Sequence, residues 1–178
     1  MSNVKTLVSI DPGDSSAYSV LEYDDCCPPK LVEFAQFKGG TEELIKRVNN
    51  VAAKYPDAHI ICEDFTARNN GSFSYRTKDL EPLVAIGALV AMSLIDRKDR
   101  NQMCAPALQY FMGGDTLQEK ITNRRNWLAR SGFKVMPKDV GQPDCDDVRS
   151  AISHGIAWLR RQKHKPTLDL FRKKENND

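Results

Sequence analysis

Three groups of acids stand where apolar runs begin or end. Asp11 closes the run in LVSIDPG (residues 7–13), and Glu63 and Asp64 close it in HIICEDF (59–65). Asp144, Asp146 and Asp147 lead into the apolar spacing of QPDCDDVRSAISH (142–154). Taken singly, each has a plain structural account. Asp, Pro and Gly suit turns for backbone reasons, and carboxylates at a helix start complement the helix dipole. Gathered in one place, they would do chemistry. Clustered carboxylates repel unless cations sit among them, and oxygen-rich sets with open positions suit Mg²⁺ or Mn²⁺. Two such ions about 3.5–4 Å apart can make a water nucleophilic and stabilise the leaving oxygen of a phosphodiester. Asp144 and Asp147 are three apart, so they share a helix face if the turn has formed by then, and Asp146 points elsewhere.

Whether the acids meet depends on the elements that carry them. Residues 4–10, 17–23 and 30–37 alternate or run apolar between short breaks, which predicts a three-strand antiparallel meander. Thr41 is placed to cap a helix with Leu44, Ile45, Val48, Val51, Ala52 and Tyr55 at helical spacing. Residues 59–65 form a fourth strand, 80–95 an apolar helix and 102–108 a short fifth strand. A helix capped by Asp115 follows, and a last helix spans 144–161 with Val148, Ala151, Ile152, Gly155 and Leu159 inward. His154 reads as structural on that helix. A meander followed by alternating helix and strand implies a mixed sheet flanked by helices. Strand four then returns parallel through a helical crossover. Beside strand one, it would bring Asp11 and Glu63 out at the same sheet edge, where ligands of parallel strands bind.

The 178 residues suffice for one domain with a real core, and 40% apolar with 28% charged content is ordinary for a globular protein. Net charge is only +2, but residues 120–174 are rich in Lys and Arg, including Arg124, Arg125, Arg130, Lys134 and Lys138. A basic half points to nucleic acid, and a solvated helix face explains it nearly as well. No leader segment and no apolar run of membrane-spanning length is evident, and the expected location is the cytoplasm. Five cysteines without a C-x-x-C pair argue for free thiols over zinc or a disulfide framework.

SIDPG (9–13), ICEDF (61–65) and DCDDVRSAISH (144–154), in that order, resemble the three motif blocks of RuvC-type Holliday junction resolvases of the RNase H-like superfamily. Compact relatives of this kind also occur in bacteriophages. The resemblance implies an RNase H-like five-stranded sheet, the meander plus parallel strands, in a nuclease domain over 1–161, with 162–178 as a basic flexible tail. It implies that Asp11, Glu63, Asp144 and Asp147 are catalytic and hold two Mg²⁺ ions, with Mn²⁺ as a substitute. Counting back from the Ser153–His154 pair puts Asp146 in the place of Asp147 as the last ligand. It further implies a homodimer, a crossover junction endodeoxyribonuclease, that cuts two strands of a four-way junction symmetrically. Phe65 matches the family's junction-core aromatic, with Phe73 and Tyr75 as nearby substitutes. Lys120 matches its basic residue facing DNA, and Arg68, Arg76 and Arg124 complete the expected DNA-binding set. Aromatics in the polar loop 67–79 suit stacking on unpaired bases.

Two other functions remain open at this level. An actin-like phosphotransferase or ATPase would use DPGDSS to cradle phosphate, but needs a second, related half that 178 residues cannot hold. A branched-DNA-binding module without catalysis would keep the acids as caps.

Overall fold

The computed structural model describes residues 3–65 and 80–172. Strands β1 (Lys5–Asp11), β2 (Ser15–Tyr23) and β3 (Lys30–Lys38) form the expected antiparallel meander. Helix α1 (Gly40–Lys54), β4 (His59–Glu63), α2 (Glu81–Ala91) and the two-residue β5 (Met103–Cys104) follow. A 3-10 turn (Pro106–Tyr110) leads to α3 (Leu117–Arg130), the short α4 (Pro137–Val140), α5 (Asp146–Arg161) and α6 (Lys165–Arg172). The sheet order is β3-β2-β1-β4-β5, with β4 parallel to β1 and β5 parallel to β4. The sheet, with helices on both faces, is the mixed five-stranded architecture read from the sequence.

β1 lies at the centre of the sheet, which explains four consecutive buried residues, Leu7 to Ile10: both its faces are covered. Side chains alternate across it. Val8 and Ile10 join Leu44 and Val48 of α1 and Ile86 and Leu89 of α2. Leu7 faces the other way, into a core with Ile61, Trp127, Phe133, Ile152 and Ile156. Ser9 shares that second face, and its hydroxyl donates to Ala151 O of α5 at 2.7 Å. Its one proton being committed there, Ser19 donates to Ser9 Oγ, also at 2.7 Å. This buried pair fastens α5 to the sheet. Gly155 lets the helix come close: a Cβ there would lie 2.7 Å from Leu21 Cδ1 and 3.0 Å from Ser9 Oγ.

Four local expectations are corrected. Thr41 does not cap α1. The helix starts after Gly39, and the Thr41 N–H and hydroxyl donate to Glu81 Oε1 of α2 at 2.7 and 2.8 Å. Gly40, at φ 59°, leaves room for that carboxylate. Thr116, not Asp115, caps α3, in a reciprocal box with Glu119 that uses both its hydroxyl and its N–H. The last helix begins at Asp146, so Asp144 lies outside it. Finally, part of the expected tail is ordered. Phe171 of α6 stacks on Trp127 with ring centroids 4.5 Å apart, and His164 Nε2 bonds Asp24 O at 2.6 Å. Apolar contact there outweighs the repulsion of a basic segment. Among the described residues, no helix is long and apolar enough to cross a membrane.

Candidate active site

Parallel pairing sets Ile10 beside Cys62, so the next residues, Asp11 and Glu63, emerge side by side at the strands' carboxyl ends. Alternation sends both side chains to the α5 face: Leu7 and Ser9 precede Asp11 on that side, and Ile61 precedes Glu63. The two carboxyl groups lie close enough for each to shift the other's titration. The first turn of α5 delivers Asp147 to the same place, and Ser15 at the start of β2 donates to its Oδ2 at 2.6 Å. Three elements therefore converge on one corner of the sheet.

The electrostatics follow from crowding. Burial pushes the Asp11 carboxyl well above the ordinary aspartate range, and the neighbouring Glu63 and Asp147 charges push it further. Burial would raise Glu63 too, but His154 overrides it: Nε2–H of this fully buried imidazole donates to Glu63 Oε2 at 3.1 Å, and Glu63 ends below its usual value. Of the two, Asp11 is therefore the more readily protonated carboxyl. Asp147 is also raised, by burial first and by Asp144 and Asp146, against the bond from Ser15. A set of oxygen-only, mutually repelling carboxylates fits a hard divalent cation. Among the described residues no three such side chains already close on one point, so the set is open.

The other expected residues fall out differently. Asp144 is exposed, two residues before the helix, and its Oδ1 accepts from Gln36 Nε2 of β3 at 3.1 Å. The helix-face argument for Asp144 and Asp147 fails because the turn has not formed. Asp146 turns outward, 46% exposed, to Arg149 at 2.9 Å, which leaves Asp147 as the acid of α5 that faces Asp11. Phe65 is partly buried against the core beneath α1 and α2, which takes it off the face that carries the acids. Lys120 is half-buried in the first turn of α3.

Arg124 is the clearest correction. Expected on the DNA face, it is 2% exposed, with Nη1 bonded to Gln109 Oε1 and to Ser150 Oγ at 2.8 Å. The apolar spacing of α3 explains this: Ile121, Arg124 and Leu128 fall on one stripe, which packs inward. Arg68, Phe73, Tyr75 and Arg76 lie outside the described residues. His154 was missed as a site residue. Its signal is spacing, since seven residues after Asp147 is two helical turns and the same face.

No family model matches the sequence, and no curated protein matches it. Solved structures do. Thermus thermophilus RuvC in complex with a Holliday junction substrate aligns over 90% of this chain and 97% of that one, with TM-score 0.55 and 14% identity. A second Thermus thermophilus RuvC structure covers 89% of this chain and 97% of its own, with TM-score 0.55 and 15% identity. The fold is that of RuvC. The likeness to RuvC extends over nearly the whole of both chains, so the meander, the parallel strands and the flanking helices belong to one shared architecture.

Proposed function

We propose that this protein is a metal-dependent, structure-selective endonuclease that cleaves Holliday junctions and other branched DNA. The observation that carries this reading is the convergence of Asp11, Glu63 and Asp147 at one sheet corner, on the fold of a protein solved with a Holliday junction. Asp11, Glu63 and Asp147 would hold Mg²⁺, or Mn²⁺ in its place, with Asp144 drawn in from the preceding loop to complete a two-ion site. Bound there, the ions supply Lewis acidity for activating water and stabilising the leaving oxygen. The chain supplies the rest. His154 fixes the Glu63 carboxylate from behind, Ser15 orients Asp147, and Gln36 restrains Asp144. Exposed Arg125 and Arg130 on α3, with Lys120, would hold backbone phosphates, giving binding that weakens steeply with salt. Arg68, Phe73, Tyr75 and Arg76 complete the proposed DNA contacts, the aromatics by stacking on unpaired bases.

Two symmetric cuts require a twofold pair of sites, hence a homodimer. The outward face of α2 suits that contact: it is uncharged from Pro82 to Ala91, with Val84 55% and nearby Met92 47% exposed. Val84→Lys is expected to shift the protein to monomer in analytical ultracentrifugation without lowering its melting temperature.

The deciding experiment is incubation with labelled four-way, three-way, flap and linear DNA, with and without Mg²⁺ or Mn²⁺. Cutting of branched substrates, lost on chelation, is the expected result. Junction binding without cutting in either metal would replace the enzyme with a binding module.

A further inference from the structure

Arg124 is a buried cation without an ion pair among the described residues. Its guanidinium stays charged at any pH a folded protein survives, and burying it is costly unless other charges compensate. Its hydrogen-bond partners are neutral: Gln109 Oε1 on the 3-10 turn and Ser150 Oγ on α5. The Tyr110 ring lies beneath it, 5.4 Å from Cζ to centroid. No carboxylate lies within ion-pair distance among the described residues, and Nε has no partner among them. Yet the site is close. Ser150 is one turn past Asp147 on the same helix, and the guanidinium's field is felt at Asp11, Glu63 and Asp147 alike.

We infer that Arg124 is a positioning residue, the built-in countercharge of the carboxylate site, which holds the acids together without metal and limits how tightly a divalent cation binds. This rests on the reading of the acids as cation ligands. The arrangement suits that task better than a direct salt bridge would. Direct pairing would occupy carboxylate oxygens that a cation needs. Gln109 and Ser150 instead hold the guanidinium back, so it lowers the mutual repulsion of the acids while leaving their lone pairs free. The incoming ion and Arg124 then compete for one field, since both are positive.

The test is Arg124→Met against Arg124→Lys, with Mn²⁺ titrated calorimetrically into metal-free protein in the absence of DNA. Methionine keeps much of the volume, and Ser150 Oγ retains Gln109 Oε1 and Asp146 O as partners, so no buried hydroxyl is orphaned. Arg124→Met is expected to bind Mn²⁺ roughly 3- to 10-fold tighter than wild type, the size of a fixed charge removed from a partly screened site. Its metal-induced rise in melting temperature should grow accordingly, while Arg124→Lys stays close to wild type. Should Arg124→Met not fold, Arg124→Gln repeats the charge removal with a donor kept. Equal Mn²⁺ affinity in wild type and the neutral variant overturns the inference, whatever happens to stability. Absence of Mn²⁺ binding by wild type overturns the cation-ligand reading itself, and the inference with it.

Discussion

The two faces of the sheet bury their side chains on opposite terms. Toward α1 and α2 the interior is apolar, and the polar contacts sit at its rim, where Glu33 accepts from Tyr18 and Tyr55 hydroxyls at 2.9 and 3.1 Å and from Lys54. Toward α5 the polar groups lie inside: Ser9, Ser19, Arg124, Ser150, Ser153 and His154 are all buried. Apolar contacts are non-directional and tolerate swaps of similar volume. Buried hydrogen bonds are directional and costly to leave unmade. One face therefore supplies stability, and the other fixes where Asp147 and Glu63 stand relative to Asp11.

The largest test of that division is Asp11→Asn. Cleavage of branched DNA is expected to fall at least about 100-fold with DNA binding retained, because the substitution keeps shape and removes a ligand charge. The same change should raise metal-free stability. A carboxyl whose folded value is raised favours folding below the ordinary aspartate range, and that advantage is lost as pH climbs toward the raised value. Metal-free wild type should thus lose stability on going from acid toward neutral pH, and Asp11→Asn should lose less. Thermal melts across that window decide it.

Next in size is Gly155→Val. The added carbons meet Leu21 and Ser9 at the closest approach of helix and sheet, and overpacking of this kind costs about 2–3 kcal/mol. Urea midpoints measure the cost. A single added methylene toward α1, Val48→Ile, should cost less and leave any metal affinity unchanged.

A smaller effect sharpens the contrast further. Ser9→Ala leaves the Ser19 hydroxyl without its acceptor, at about 1–2 kcal/mol, but Ser9→Ala with Ser19→Ala should cost less than the sum of the singles. Additive costs in denaturant titration would show that the pair is not coupled. The smallest effect belongs to the rim. Burial would raise Glu33, but the bonds from Lys54, Tyr18 and Tyr55 outweigh it and hold it below the ordinary glutamate value. Its contribution is present above that ordinary value and lost as pH falls through the lowered one. Glu33→Gln should remove that part of the acid sensitivity and leave the α5 face unaltered.

The same division explains what could be read from the sequence. Strand order and the pairing of Asp11 with Glu63 were legible because apolar runs, turn residues and the crossover rule each act locally. The α5 face was less legible because its polar residues occupy core positions, and a polar residue in a sequence reads as surface. Arg124 sits on an apolar stripe yet reads from its type as a DNA contact, and His154 reads as structural. The expected place of Asp144 on the helix face failed for another reason: the start of α5 depends on Gln36, 108 residues away in the chain, which bonds Asp144 and lies against Val148 N–H at 3.4 Å. The basic residues around Leu170 and Phe171 likewise hid α6, whose aromatic partner Trp127 is distant in sequence.

The docking of Phe171 on Trp127 makes the protein its own optical probe. Only two tryptophans are present, and they sit in separate surroundings. Trp127 is enclosed by Phe111, Phe133 and Phe171, whereas Trp158 bonds Asn101 O through its indole N–H at 2.7 Å. In a Trp158→Phe background the remaining emission comes from an indole screened from water by α6. Release of α6 would shift that emission to the red before the sheet opens, so partial and complete unfolding could be followed at two wavelengths without a label.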